Sequence, residues 1–139
     1  MFVFGGNATK ASFNDLWEFH TREAVWKLVR TAGHAPSGRV GHTLTALGSR
    51  LLVLGGREYA TNHFDPCLHS FNVRTKHWSE VPLLTPASID ERSGQLVREK
   101  VPVRTGHCAS VHAGALLLFG GLDDQNHFLD DVSTVHLIG

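Results

Sequence analysis

The sequence predicts an all-β chain assembled from repeated four-stranded units, and three observations carry that expectation. Apolar runs ending in Gly-Gly occur three times, as Met1–Gly6, Leu51–Gly56 and Leu116–Gly121. Four consecutive apolar residues closed by two glycines describe a strand buried on both faces, stopped where the backbone needs positive φ. Upstream of two of these runs lies a shared lead-in, Arg39-Val40-Gly41-His42 and Arg104-Thr105-Gly106-His107; aligning Arg39–Gly56 with Arg104–Gly121 gives 18 gapless positions with seven identities. Downstream, Asp15–Phe19 followed after six residues by Trp26 matches Cys67–Phe71 followed after six by Trp78. Self-similarity at a period of 50 to 65 residues is the mark of a repeat architecture.

Each element follows from its local pattern. His42–Leu47 and His107–His112 read as first strands, and Gly48-Ser49 and Ala113-Gly114 as tight turns into the Gly-Gly strands, which makes two hairpins. Leu16 to Val29 taken alone could form an amphipathic helix, since Leu16, Phe19 and Trp26 share a stripe. Its second copy decides for strands. Ser70-Phe71-Asn72-Val73 alternates with period two, and an aromatic at a fixed distance from Trp suits a cross-strand pair. Thr21-Arg22-Glu23 and Val73-Arg74-Thr75 are then the turns between third and fourth strands.

The pattern of apolar tetrad, Gly-Gly, aromatic and Trp resembles the kelch repeat, over nearly the whole chain. The resemblance implies that each repeat is one blade of a β-propeller. The expected fold is therefore a partial kelch-type propeller: an incomplete blade over 1–30, a complete one over 39–82, and a second incomplete one over 104–139. The signature residues are Gly5, Gly6, Gly55, Gly56, Gly120, Gly121, His42, His107, Trp26 and Trp78. The first copy has no His-led strand; the third puts Val135 in the aromatic's place and has no Trp. At about 50 residues per blade, a ring of 4–8 blades needs roughly 200–400 residues, so a piece of a larger propeller is expected.

Residues 83–102 read as a polar, mobile inter-blade loop, either a tolerated insertion or a partner-contacting segment. Trp26 and Trp78 recur in register and are expected in the core between blades, which leaves Trp17 as the one Trp free to be exposed. The loops Asn7–Asn14, Arg57–Pro66 and Leu122–Asp130 diverge while their flanks stay alike, the layout of a recognition surface. Arg57, Tyr59, Asp123 and Asp124 would give that surface mixed charge. For Arg39 and Arg104 two readings stand. In some kelch proteins arginines at this R-x-G position face the central pocket and grip acidic peptide segments, a task suited to the guanidinium fork. Otherwise each bonds a neighbouring blade's backbone or carboxylate.

Composition narrows the function classes. Thirteen Lys and Arg balance thirteen Asp and Glu, which lacks the cationic excess that phosphate neutralisation requires and argues against nucleic acid. No apolar run approaches the roughly 18 residues of a membrane span. Cys67 and Cys108 match no metal spacing and are expected as reduced thiols, which suggests the cytoplasm. The ten histidines show no HExxH or repeated HxH, and no metal or other cofactor is expected. The expected function is a protein-interaction module or scaffold that binds a protein or peptide partner, including an acidic segment, through its loops. Blades closing between chains would give a homo-oligomer. The alternative is part of a kelch-like enzyme, resembling galactose oxidase or a small-molecule-processing propeller, with its site outside this chain. A copper-radical site needs tyrosine and histidine ligands together, and Tyr59 is the single tyrosine.

Overall fold

A computed structural model describes residues 1–83, 88–97 and 100–136. Strands run through the chain in the order β1 (Phe2–Phe4), β2 (Asn7–Ala8), β3 (Ala11–Ser12), β4 (Leu16–His20) and β5 (Val25–Leu28), then β6 (Ala32–Gly33), β7 (Val40–Leu47), β8 (Arg50–Arg57), β9 (Cys67–Asn72) and β10 (His77–Pro82). They continue as β11 (Ser88–Ile89), β12 (Leu96–Val97), β13 (Cys108–His112), β14 (Ala115–Phe119) and β15 (Val132–His136). Three principal sheets result: β1-β4-β5, β6-β10-β9-β8-β7 and β13-β14-β15. All their pairings are antiparallel except the short parallel contact of β6 with β10. The fold is all-β, a partial kelch-type propeller of three successive blades. Among the described residues no helix is long and apolar enough to cross a membrane.

Period-two alternation turns this chain into a stack of sheets. On β8, Leu51 and Val53 point to one face and pack with Phe4 and Leu16 of the first blade, together with Phe71 and Trp78. Leu52 and Leu54 point the other way and pack with Leu68 and with Leu116, Leu118 and Val135 of the third blade. A strand sandwiched on both faces must be apolar at every position, which is why the tetrad does not alternate. The expected cross-strand pairs form. Phe19 lies opposite Trp26 and Phe71 opposite Trp78, both with ring centroids 4.9 Å apart and planes at 45°.

Several expectations need correction. Trp26 is not in a core between blades: it is 47% exposed, against 1% for Trp78. The cause is positional. Trp78 is covered by Phe4 of the blade before it, at 5.4 Å between centroids, and none of the described residues lies before Trp26 in the same way. The Gly-Gly pair of the second blade does not end its strand, because β8 runs on to Arg57 with Val40 opposite. His107 falls one residue before its strand. The 83–102 segment is not simply a polar loop, since Leu83 and Val101 are buried in the core between second and third blades, and β11 pairs with β12 in a small hairpin. Residues 84–87, 98 and 99, including Pro86, Arg98 and Glu99, lie outside the described residues, as do the last three, 137–139.

Candidate functional site

The loop end of the blades is built on one repeated joint. The Gly6 N–H donates to the Arg39 carbonyl at 3.0 Å, and the Gly56 N–H donates to the Arg104 carbonyl at 2.8 Å. Each second glycine thus ties its blade to the arginine that opens the next. The first glycine makes room for the next blade's histidine. A methyl group at Gly55 would sit 2.5 Å from the Arg104 carbonyl oxygen and 2.6 Å from His107 Cε1, closer than any unstrained contact. Gly55 also has a φ of 65°, in the left-handed region that L side chains avoid.

The histidines complete the joint. His42 Nε2–H donates to the Phe4 carbonyl at 2.9 Å, which fixes the tautomer and leaves Nδ1 as a buried lone pair without a partner. His107 Nε2 shares a hydrogen bond with Thr43 Oγ1 at 3.1 Å. Burial lowers the pKa of both rings, aided at His107 by the nearby Arg104 charge and then His42, so that His107 falls to about 4. A buried ring with no anionic partner favours its neutral form.

Arg39 and Arg104 are almost wholly buried, and both guanidinia are occupied within their own blades. Arg39 donates to the Gly55 carbonyl at 3.1 Å and to Asp65 Oδ2 at 2.9 Å. Arg104 donates to the Gly120 carbonyl at 3.2 Å and forks onto Asp131, at 3.0 and 2.8 Å. Of the two readings of these arginines, neither pocket-facing ligands nor links to a neighbouring blade describes them: each clasps its own blade's Gly-Gly turn to the start of its own third strand. Burial would raise the Asp65 carboxyl, but bonds from His69 at 2.7 Å, from Arg39 and from the Cys67 N–H outweigh it and hold the pKa well below the usual range. At Asp131 the bond from Arg104 dominates, and the pKa falls to about 2. The carboxylates were missed in the sequence because they stand at different offsets, three residues before Leu68 in one blade and directly before Val132 in the other.

The divergent loops lie above these clasps. Arg57 Nη1 donates to Asn62 Oδ1 at 2.7 Å, which ties the side chain into its own loop. The Tyr59 N–H donates to Ser12 Oγ at 2.9 Å and draws the loops of the first and second blades together, while the Tyr59 ring is half exposed. Asp123 is turned inward, accepting from the Gln125 and His127 N–H groups, whereas Asp124 is exposed. Phe13 and Phe128 were not anticipated. Each stands seven residues after its blade's second glycine, in the loop, and both are exposed. Their recurrence in register was legible in the sequence. Among the described residues no group of three His, Cys, Asp or Glu could hold a metal ion.

Sheets stacked face to face, joined blade to blade by a Gly-Gly turn and the Arg and His that follow it, define a propeller repeat protein. The family profile described as the KLHDC2/KLHL20/DRC7 Kelch-repeats domain matches residues 1–97. The chain belongs to the kelch-repeat family. It is 32% identical over 137 residues to tip elongation aberrant protein 1 of Schizosaccharomyces pombe, covering 92% of this chain and 11% of that protein. To human kelch domain-containing protein 3 it is 30% identical over 141 residues, covering 94% of this chain and 34% of that protein. The chain thus spans between about a tenth and a third of the length of these relatives. The solved structure of YjhT superposes with a TM-score of 0.72 at 18% identity, over 99% of this chain and 45% of that one.

Proposed function

We propose that this chain is a protein-interaction module, a set of kelch blades that engages a protein or peptide partner through its loop end. The observation that carries this reading is the contrast between a clasped, repeated scaffold and three divergent loops that expose Phe13, Tyr59 and Phe128. Exposed aromatics on rigid supports supply contact area at little entropic cost, and they are enriched at interface hot spots. The partner segment is one with apolar side chains to meet these rings. The expected acidic character of the partner rested on Arg39 and Arg104, which are committed inside the blades, so any acidic group would be met by Lys10 and Arg57 of the loops. Asp124 gives the same end a negative charge. A cytoplasmic setting fits such a module, resting on the two free thiols, Cys67 and Cys108.

Selection of a displayed peptide library against the 139-residue chain tests the reading. Enriched peptides should bind the parent chain and lose at least tenfold in affinity to a Phe13→Ser/Tyr59→Ser/Phe128→Ser variant with an unchanged melting temperature. Equal binding by the variant would remove the loop end from the function. Stoichiometric copper or zinc in the purified protein would instead favour the enzyme reading.

A further inference from the structure

We propose that the second blade carries a separate interaction surface at the end opposite its loops, and that this surface holds an acidic segment of a partner protein. Three pieces of chain are laced together there. The Val73 N–H donates to the Ser49 carbonyl at 2.9 Å, joining the β9–β10 turn to the β7–β8 turn. The Ala32 N–H donates to the Lys76 carbonyl at 2.9 Å and adds the β6 segment. Asn72 fixes the turn itself. Its Oδ1 accepts from the Arg74 and Thr75 N–H groups at 2.9 and 3.1 Å, and its carbonyl accepts from the Lys76 N–H at 2.8 Å. Arg50 stands opposite Asn72 in the ladder.

These turns bring Arg50, Arg74 and Lys76 to one place. Both arginines are exposed and Lys76 is half-buried. Residues 31–34, 47–50 and 72–77 include no Asp or Glu, and among the described residues none of the three cations pairs with a carboxylate. Lys76 has a φ of 57°, a left-handed conformation that glycine or asparagine takes at lower cost. A cation kept in such a position is the kind of local strain that gathers at binding sites. The cluster is particular to the second blade: the first blade's turn sets Glu23 beside Arg22, and the third blade's turn, 112–115, has no Lys or Arg. Carboxylates gather at the other end. Glu58, Asp65, Asp123, Asp124, Asp130 and Asp131 stand in the loops after the second and third Gly-Gly pairs or directly behind them. The zero formal charge thus conceals one cationic and one acidic end.

An acidic peptide is the ligand these groups fit. Guanidinium forks grip carboxylates with paired hydrogen bonds, and a turn already fixed by Asn72 presents them with little ordering left to do. Single-stranded nucleic acid would call for aromatic faces on which to stack, and the rings of these strands, Phe71 and Trp78, are buried. An anionic membrane would call for a run of roughly four to eight basic residues. The surface shares no residue with the loop end, so it stands or falls apart from the reading given above.

Fluorescence anisotropy of a labelled hexaglutamate peptide, titrated with the 139-residue chain at about 50 mM salt, tests the proposal. Affinity should fall roughly tenfold in Arg50→Gln/Arg74→Gln/Lys76→Gln, and about threefold in Arg50→Gln or Arg74→Gln alone, all with an unchanged melting temperature. It should stay level in Lys10→Gln/Arg57→Gln and in the Phe13→Ser/Tyr59→Ser/Phe128→Ser variant. Failure of the parent chain to bind the peptide overturns the proposal. So does binding that Lys10→Gln/Arg57→Gln abolishes and the Arg50, Arg74 and Lys76 variant keeps, since the acidic ligand would then sit on the loop end. Tighter binding of oligothymidylate or of phosphatidylserine vesicles than of the peptide also overturns it, by giving the surface to another class of partner.

Discussion

Arg39 and Asp65 show how much of this protein rests on single contacts beneath a surface. The guanidinium has given up water for a carboxylate, a serine carbonyl and the Gly55 carbonyl. Removing the carboxylate leaves the charge buried and uncompensated. Asp65→Ala should therefore lower stability by about 3–5 kcal/mol, read from chemical denaturation; a cost below about 1 kcal/mol would show that the pair behaves as a surface ion pair. His107 sets a pH dependence. Its ring titrates at 6.5 in the unfolded chain and about 4 in the fold, so below pH 6.5 the unfolded state takes up a proton that the folded state refuses. Stability should be level above about pH 7, fall by roughly 3 kcal/mol as pH drops toward 4, and level off below it as far as this group is concerned. The Asp131 carboxylate works in a lower window: its contribution is present above 3.8 and is lost toward about pH 2. Thermal melts across pH, with His107→Gln as the control that flattens the upper segment, separate the two.

At the scale of the element, two tryptophans with one sequence context have two environments. Trp78 is enclosed by Phe71 on its own blade and Phe4 on the preceding one; Trp26 has only its own Phe19. Trp78→Ala should cost roughly 3–5 kcal/mol and Trp26→Ala about 1 kcal/mol, measured by denaturation in dilute protein. Equal costs would mean that Trp26 is covered in solution. The pair also marks what the sequence could and could not disclose. Strand order, hairpins, the Phe–Trp pairs and the two-faced β8 follow from period, spacing and repetition, which are local. Exposure of Trp26 does not, because burial of an outer strand is decided by a neighbouring blade. The Arg39–Asp65 clasp was hidden for a related reason: its carboxylate lies 26 residues away, at an offset that the third blade does not share. The buried Leu83 and Val101 were masked by the polar residues between them.

Across the whole molecule, stability is distributed from the middle outward. Among the described residues the second blade is packed on both faces, the first and third on one each. Amide exchange should be slowest in β8 and β9 and faster in β5 and β15, edge strands of the two outer blades; uniform protection would contradict a stack of nearest-neighbour units. The Gly-Gly turn has a consequence that follows from what it touches. Gly55 gives way to a ring on the next blade and Gly56 binds a carbonyl there, while nothing in the joint refers to blades further along. The instructions for order are thus written between adjacent units only, as in a chain of couplings in which every wagon carries the same hook and the same eye. Such a chain can lengthen or shorten without rewriting the hydrogen-bonded joint, while the apolar contacts beside it differ from seam to seam.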